Sequence, residues 1–341
     1  MVHRVTSDQR SSPLSSAGGE NHDQTWEGQE NKLILMQQER QKVVVIVGPT
    51  ASGKSAISVG LARRFGGEIV NADSMQVYRG MDIGTAKPSL DERREVPHHL
   101  FDVVEPDQEF NAAIYRSLAL HVLKGIAERD GTAFVVGGTG LYIKTLLGGL
   151  LECPPSDAVL RNALLQEWET EGFAAMHDRL RSLDPESADK IHPHDRVRIL
   201  RALEVIHLAG SPLSTLIRKH RFEGRSFRAL KICLQMDRER LYHRIDERCR
   251  IMVENGLLRE TQDLLNAGYS DDLKPLKALG YRHMVQFLHG RWSLDEAVMQ
   301  FKKDTRRYAK RQLTWFRSDP EMQWVSIDDR EKIRKRIEAF I

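Results

Sequence analysis

The chain has 341 residues, of which 40% are hydrophobic and 29% charged, a composition typical of a soluble globular protein with one large core or two smaller ones. Its net charge of +3 is close to neutral, and its longest apolar run, Val43–Val47, is far shorter than the roughly 18 residues that cross a bilayer. The cysteines, Cys153, Cys233 and Cys249, are far apart and indicate neither a zinc site nor a disulfide framework. We therefore expect a cytoplasmic protein.

The first part of the chain, residues 1–41, is rich in Ser, Gly, Gln and Asn and has few large apolar side chains. Such a segment cannot bury much surface, so we predict a disordered tail without a function of its own. It contains no apolar stretch typical of a secretory signal, and its interspersed acids argue against a transit peptide.

Strand and helix patterns alternate from Val43 to Val136. Val43–Val47 predicts a strand buried on both faces, and the helical spacing over Ala56–Phe65 predicts the helix that follows it. The later predicted strands are Glu68–Asn71, His99–Val103 and Ala133–Val136, with a helix at Ala112–Arg129 between the last two. This alternation predicts an α/β fold with a doubly wound parallel sheet and helices on both faces.

The pattern changes after Pro154-Pro155, where residues 156–225 are charged and helical in period. We predict a first part of the core at 42–150, a helical insertion domain at 151–229 and completion of the core at 230–341. The elements predicted in the last part are strands at Leu230–Met236 and Met322–Ile327 and helices at 238–254, 257–267, 277–289 and 294–316.

Basic charge is concentrated in residues 302–317, where seven Lys or Arg residues accompany a single acid, Asp304. Tyr308, Trp315 and Phe316 lie among these cations. Aromatic rings interleaved with cations are typical of a nucleic-acid-binding surface. The alternative is that the rings belong to the core and the charges only solubilise the helix.

A glycine-rich turn between the first strand and its helix matches the pattern GxxxxGK[ST], the phosphate-binding P-loop. Its glycines allow consecutive backbone N–H groups to face one anion, and the following helix adds the positive end of its dipole. Lys54 supplies a charge to the outer phosphate, and Ser55 offers a hydroxyl to Mg²⁺. The predicted diphosphate-binding residues are Gly48, Pro49, Thr50, Ala51, Ser52, Gly53, Lys54 and Ser55.

The motif does not identify the phosphate compound. A nucleotide hydrolase usually has an Asp at the end of a later strand, but Ala133–Val136 runs into Gly137-Gly138-Thr139-Gly140 without an acid. Asp73 instead follows the second strand, and the carboxyl ends of parallel strands share one edge of the sheet. Asp73 is therefore a candidate general base facing Lys54, or alternatively a turn or helix-cap residue.

The stretch Asp73–Pro88 resembles the signature of the tRNA dimethylallyltransferases, or tRNA isopentenyltransferases, of the bacterial type without a zinc finger. The resemblance covers about residues 42–328. Further blocks occur in the family's order, at Gly137–Tyr142, His192-Pro193 with Asp195, Arg201–Val205, Gly280–Arg282 and Tyr308–Arg317.

The resemblance implies that Mg²⁺ and dimethylallyl diphosphate are used to alkylate the exocyclic amine of the tRNA adenine on the 3′ side of the anticodon. It implies catalytic roles for Asp73, Thr139 and Arg248, the last on the diphosphate. On spacing alone, Arg240, Arg244 and Arg248 would form a solvated helix face. The tRNA contacts it implies are Asp73, Ser74, Met75, Gln76, Thr139, Arg161, Val197, Arg198, Ile199, Leu200, Arg201, Lys277, Ala278, Leu279, Gly280, Tyr281 and Arg282.

The departures from the family pattern are small, such as His194 where Asn is common, and concern fine RNA contacts. The alternatives are a P-loop kinase acting on a small molecule, an isopentenyltransferase acting on free adenine nucleotides, and a non-catalytic RNA-binding protein. The kinase does not account for Asp73–Pro88 or for the basic helix, and intact Lys54, Ser55 and Asp73 argue against a non-catalytic protein. We expect a monomer.

Overall fold

The computed structural model describes residues 40–151, 153–220 and 227–341, so the predicted N-terminal tail lies outside the described residues up to position 39. Six strands form a single sheet in the order β3-β2-β4-β1-β5-β6, and every neighbouring pair is parallel. The strands are β1 Gln41–Val47, β2 Gly67–Asn71, β3 His98–His99, β4 Thr132–Gly137, β5 Phe227–Gln235 and β6 Gln323–Ser326. The predicted α/β class and parallel sheet are confirmed.

Strand β1 lies at the centre of the sheet because its side chains are apolar on both faces. Val43, Val45 and Val47 enter the core on one face, while Val44 and Ile46 enter the core on the other. All five are fully buried. A continuous run of β-branched residues suits a strand covered by helices on both sides.

The helices that cover the sheet connect its parallel strands. A further helix, α5, belongs to a run of helices between β4 and β5 and is interrupted at Gly172, whose φ of 81° is not helical. The helices are α1 Lys54–Arg64, α2 Leu90–Glu95, α3 Ala112–Ala127, α4 Gly140–Gly148, α5 Ala158–Leu183, α6 Pro185–Lys190, α7 Arg196–Ala209, α8 Leu213–His220, α9 Arg238–Glu254, α10 Leu257–Asn266, α11 Tyr281–Leu288, α12 Leu294–Arg317 and α13 Arg330–Glu338.

Helices α5 to α8 follow one another without an intervening strand and have an apolar cluster of their own, which includes Leu164, Met176 and Ile199. This run of helices corresponds to the predicted insertion. Its division from the core at residues 151 and 229 remains a prediction, although β5 already begins at Phe227.

The predicted strand at His99–Val103 is wrong, since β3 contains only His98 and His99. Leu100 and Asp102 have φ values of 64° and 53°, in the left-handed region, which ends an extended strand. The chain turns there and meets the segment after β2, where Val103 N–H donates to Val77 O at 2.7 Å.

The predicted helix at 277–289 begins only at Tyr281, because Gly280 has a φ of 88° that no helix tolerates. The preceding residues, Lys277 to Gly280, form a turn that reaches the candidate site. Within the described part of the chain, no helix is both long and apolar enough to cross a membrane.

Candidate active site

The P-loop connects β1 to α1 at the carboxyl edge of the sheet. Gly53 has a φ of 85° and Ala51 a φ of 62°, so the turn needs left-handed backbone at two positions. Helix α1 begins at Lys54 without an acid in its first turn, which leaves its positive dipole end available to an anion. The loop is held on one side by α9, where Arg244 Nε donates to Ala51 O at 3.0 Å.

Gln312 of helix α12 holds the P-loop from the other side. Its Oε1 accepts a hydrogen bond from Thr50 N–H at 2.8 Å, and its Nε2 donates to Gly138 O at 3.0 Å. A Cβ at Gly138 would lie 2.2 Å from Gln312 Nε2, so glycine is what permits this approach. One buried amide therefore ties the P-loop to the Gly137–Gly140 turn.

Lys54 is partly buried at the base of the cavity beside the P-loop, and its Nζ lies 3.4 Å from Pro49 O. Its pKa is lowered to about 8, chiefly by burial and next by the Arg248 cation, while the Asp73 carboxylate opposes the shift. An anion bound here would stabilise the charged ammonium. The electrostatics thus favour an anionic ligand.

Asp73 lies in a turn directly after β2 and lines the same cavity as Lys54. Asn71 shapes this turn: its Oδ1 accepts Asp73 N–H at 2.9 Å, and its Nδ2 donates to Leu100 O at 3.0 Å. Asp73 Oδ1 accepts Met75 N–H at 2.9 Å. The Asp73 carboxylate therefore stabilises the turn, as the alternative interpretation expected, and it also lines the cavity.

The turn Gly137–Gly140 packs closely against the residues that precede Asp73. A Cβ at Gly137 would lie 2.2 Å from the carbonyl atoms of Ala72. Thr139 Oγ1 accepts Ser74 N–H at 3.0 Å. Thr139 lies behind Ser74 and is not among the residues that line the cavity.

The three arginines spaced along α9 do not form one solvated face. Arg240 is exposed and pairs with Asp328, Arg244 bonds to the P-loop, and Arg248 lines the cavity. Burial lowers the pKa of Arg248, an effect that the Asp73 carboxylate opposes. The adjoining buried face consists, as predicted, of Leu241, Ile245, Cys249 and Met252.

The cavity has a volume of about 310 Å³ and lies within the range of small-ligand sites. Its inner end carries Lys54 and Arg248, and its wall continues past Asp73 to the turn before α11. Tyr308 and Arg311 of the basic helix also line it, while Phe316 is buried in the core and Trp315 is partly exposed. The aromatic residues of the basic helix therefore have different environments.

Two of the predicted tRNA-binding segments line the cavity. One contributes Ser74, Met75 and Gln76, and the other contributes Lys277, Ala278, Leu279, Tyr281 and Arg282. Within the second, Arg282 is exposed, whereas Gly280 and Tyr281 are buried.

The remaining predicted contacts belong to the helical segment and do not line this cavity. Arg161, Val197 and Arg198 are exposed, but Ile199 and Leu200 are buried in the cluster between the helices. Their side chains face the protein interior, so they support α7.

Arg201 is also engaged internally. Its guanidinium donates to Glu204 at 2.7 Å and to Pro154 O at 2.8 Å. It therefore fastens the start of the helical segment to α7.

Glu260 is a residue that sequence reasoning missed. Its carboxylate accepts the consecutive backbone N–H groups of Asp82, Ile83 and Gly84 at 2.8–3.0 Å and the hydroxyl of Tyr281 at 2.6 Å. It thereby fixes the loop that follows Asp73 to the wall of the cavity. Consecutive amides favour an anion, but nothing in the sequence indicates which of the many acids would supply it.

Ser55 is the residue best placed to bind a divalent cation, because it follows Lys54 in the P-loop and lines the cavity. Within the described ranges, no cluster of three His, Cys, Asp or Glu residues could hold a metal ion by itself. One hydroxyl supplemented by phosphate oxygens and water is the donor set that Mg²⁺ prefers. The residues present therefore fit a phosphate-bound cation.

Two family models match the chain: one described as IPP transferase over residues 76–319 and one described as isopentenyl transferase over residues 41–99. The chain is 53% identical to a tRNA dimethylallyltransferase of Geobacter sulfurreducens over 286 residues, covering 84% of this chain and 92% of the relative. It is 52% identical to a tRNA dimethylallyltransferase of Syntrophobacter fumaroxidans over 295 residues, or 86% of each chain.

Solved structures are similar to this chain as well. The full-length tRNA isopentenylpyrophosphate transferase of Bacillus halodurans has a TM-score of 0.66 at 40% identity, covering 88% of this chain and 96% of that one. A eukaryotic dimethylallyltransferase acting on tRNA has a TM-score of 0.72 at 29% identity, covering 84% of this chain and 74% of that one.

Proposed function

This chain belongs to the tRNA dimethylallyltransferase family, and from that premise we propose that it transfers a dimethylallyl group from dimethylallyl diphosphate to the exocyclic amine of the tRNA adenine on the 3′ side of the anticodon. Diphosphate is the leaving group. The enzyme is a transferase of an alkyl group. The observation that carries the proposal is that one cavity is lined by Lys54, Arg248 and Asp73 and extends to the turn before α11.

The inner end of the cavity suits the diphosphate. Lys54 and Ser55, at the start of helix α1, and the Arg248 guanidinium line that end. As the carbon–oxygen bond of the donor breaks, negative charge grows on the departing diphosphate, and these fixed donors stabilise it. Arg248 can form two parallel hydrogen bonds to phosphate oxygens, which a lysine cannot.

Asp73 suits the role of the base that accepts the amine proton. The adenine nitrogen forms its bond to the allylic carbon, and the proton it loses moves to the carboxylate. Ser74 follows Asp73 in the same turn and also lines the cavity. Its backbone N–H donates a hydrogen bond to Thr139 Oγ1. Thr139 would then act by positioning the Asp73 turn rather than by touching the allyl group.

A divalent cation, for which we propose Mg²⁺, would be held by Ser55 together with the diphosphate and would neutralise part of the leaving-group charge. Lys54 and Arg248 supply the remaining positive charge from the protein. The requirement is tested by removing divalent cations with a chelator and restoring each cation separately.

The outer wall of the cavity suits the RNA. An adenine must leave its stack to reach Asp73, which costs less in a loop than in a duplex. Arg282 and Arg311 lie at the cavity with exposed side chains and can contact the flanking phosphates. Exposed Arg161 and Arg198 would extend the contact along the RNA.

One assay separates this function from its alternatives. The protein is incubated with labelled dimethylallyl diphosphate, a divalent cation and an unmodified tRNA that carries adenines in its anticodon loop. Label in tRNA supports the proposal, and label only in AMP or ADP supports an enzyme of free nucleotides. Phosphate transfer from ATP to a small molecule supports a kinase, and RNA binding without any transfer supports a non-catalytic protein.

We further propose that the enzyme is cytoplasmic and acts as a monomer. The cytoplasm contains its tRNA substrate, and a single chain supplies every residue placed in the mechanism. Sedimentation at assay concentrations tests the monomer. A dimer whose dissociation abolishes activity would contradict it.

A further inference from the structure

The single acid of the basic stretch 302–317 has an unusual position. Asp304 lies on α12 between the buried residues Phe301 and Thr305, and only 13% of its side chain is exposed. Its carboxylate is bound by Arg282, by Arg307 at 3.3 Å and by His283 at 3.2 Å. An acid that only balanced charge on a solvated helix would not be shielded from solvent and bound by side chains of two helices.

The protonation of His283 follows from its own contacts. Its Nδ1 accepts the backbone N–H of Gly280 at 3.2 Å, so Nδ1 carries no proton and Nε2–H donates to Asp304. The ring is completely buried, and burial lowers its pKa to about 4 although Asp304 opposes the shift. Neutral His283 therefore connects the Asp304 carboxylate to the turn at Gly280, whose φ is 88°.

Arg282 is the exposed end of this chain of contacts. It lines the cavity, 44% of its side chain is exposed, and Asp304 engages it through Nη2. A guanidinium has five N–H donors in a fixed plane, so one edge can be held while the other faces a phosphate. The partner on Asp304's other oxygen, Arg307, is also exposed, with 60% of its side chain accessible.

We infer that Asp304, with His283, is a positioning residue that fixes Arg282 at the mouth of the cavity for a phosphate of the bound tRNA. This inference rests on the proposed function. An acid then lies in an otherwise basic RNA-binding surface because it orients Arg282, although its own charge repels RNA. Asp304 does not touch substrate, and its effect passes through Arg282 and the turn before it.

Whether the loss of Asp304 weakens or tightens tRNA binding distinguishes a positioning role from simple charge repulsion. Removing an acid from a basic surface should tighten RNA binding if only charge matters. If Asp304 positions Arg282, the same change should weaken productive binding. Asp304→Asn keeps an oxygen that can accept from His283 Nε2–H and removes the charge that holds Arg282 and Arg307, so it tests the role with little risk to folding.

The experiment measures tRNA labelling and filter binding for wild type, Asp304→Asn, Arg282→Met and the double variant. Asp295→Asn removes one charge from an exposed position of the same helix and serves as the matched control. We expect Asp304→Asn to lower kcat/KM for tRNA about tenfold and to leave the KM for dimethylallyl diphosphate within about twofold, a split that general loss of structure would not give. Asp295→Asn should leave tRNA binding equal or slightly tighter.

The double variant provides the decisive comparison. If Asp304 acts through Arg282, the double variant should lose no more than Arg282→Met alone, because the two residues form one unit. Tighter tRNA binding by Asp304→Asn, or losses that multiply in the double variant, would overturn the inference while leaving the proposed function intact. A wild-type protein that fails to label tRNA would overturn both.

Discussion

Gln312 of α12 and Thr50 of the P-loop are joined by a 2.8 Å hydrogen bond, although 262 residues separate them in the chain. The helix that carries Gln312 also carries Tyr308 and Arg311, which line the cavity. Gln312 therefore couples the position of the basic helix to that of the phosphate-binding loop. Displacement of α12 would be transmitted to the P-loop through one side chain.

We predict that Gln312→Ala raises the KM for dimethylallyl diphosphate about tenfold and lowers Tm, because Thr50 N–H and Gly138 O each lose a partner, at about 1–3 kcal/mol per buried group. Steady-state kinetics and thermal unfolding measure the two effects. Met299→Ala, at an exposed position of the same helix, is the control. An unchanged KM for the donor would show that the P-loop keeps its shape without Gln312.

We predict that Asp73→Ala reduces the rate of transfer at least about a hundredfold while leaving diphosphate binding largely intact, since the base is lost but the P-loop is not. Single-turnover transfer and calorimetric binding of diphosphate measure the two quantities. Asp73→Asn keeps an oxygen that can accept Met75 N–H and is the matched variant for turn geometry. Transfer at the wild-type rate by either variant would remove Asp73 from its role.

The lowered pKa of Lys54 predicts a pH dependence of diphosphate binding. With a pKa of about 8 in the free protein against its usual 10.5, Lys54 loses its proton as the pH rises through 8, and a bound anion should raise the pKa again. Binding should take up a proton above pH 8, and affinity should fall as the pH rises further. Calorimetry in buffers of different ionisation enthalpy measures this uptake.

The matched variant for this prediction is Lys54→Met, in which the proton uptake above pH 8 should disappear. The lowered pKa of Lys54 also makes the stability of the ligand-free fold rise with pH, whereas it makes the affinity for diphosphate fall. The charged Lys54 destabilises the ligand-free fold below about pH 8, and this cost is relieved as the pH rises from about 8 towards 10.5. Equal proton uptake in wild type and Lys54→Met would assign the linkage to another group.

Two glycines should respond in opposite ways to the same methyl group. Gly137→Ala would bring Cβ within 2.2 Å of the Ala72 backbone, whereas a Cβ at Gly60 in α1 would have no heavy atom within 4 Å. We predict that Gly60→Ala stabilises the protein by about 0.5–1 kcal/mol through helix propensity. Gly137→Ala should destabilise it and reduce transfer. Denaturant unfolding measures both, and a neutral Gly137→Ala would show that the turn can move away from Ala72.

The order of strands and helices in the sheet domain was predictable because fully buried parallel strands have continuous apolar runs, as in Val43–Val47. The position of Asp73 beside Lys54 followed from the parallel sheet, which brings the carboxyl ends of its strands to one edge. The strand predicted at His99–Val103 failed because Leu100 and Asp102 have left-handed backbone. Asp102 is a weak indication of that conformation and Leu100 gives none.

The residues that support the site could not be predicted either, and the reason is different. Glu260 and Gln312 act through hydrogen bonds to backbone groups far away in the chain. Backbone amides are present at every residue, so the sequence does not indicate which of them a distant side chain will bind. Thr139, which the resemblance assigned to the RNA side, accepts the Ser74 N–H, and Tyr281 lines the cavity while its hydroxyl donates to Glu260.

Strand β1, whose end carries the P-loop, is hydrogen-bonded to β5 along its whole length, from Gln41 opposite Phe227 to Val47 opposite Cys233. During synthesis on a ribosome, β1 emerges long before its neighbour exists. Gln312, which secures the P-loop, emerges later still. A nascent chain therefore cannot complete the β1–β5 pairing and the Gln312 contact with the P-loop until almost all of it has left the exit tunnel.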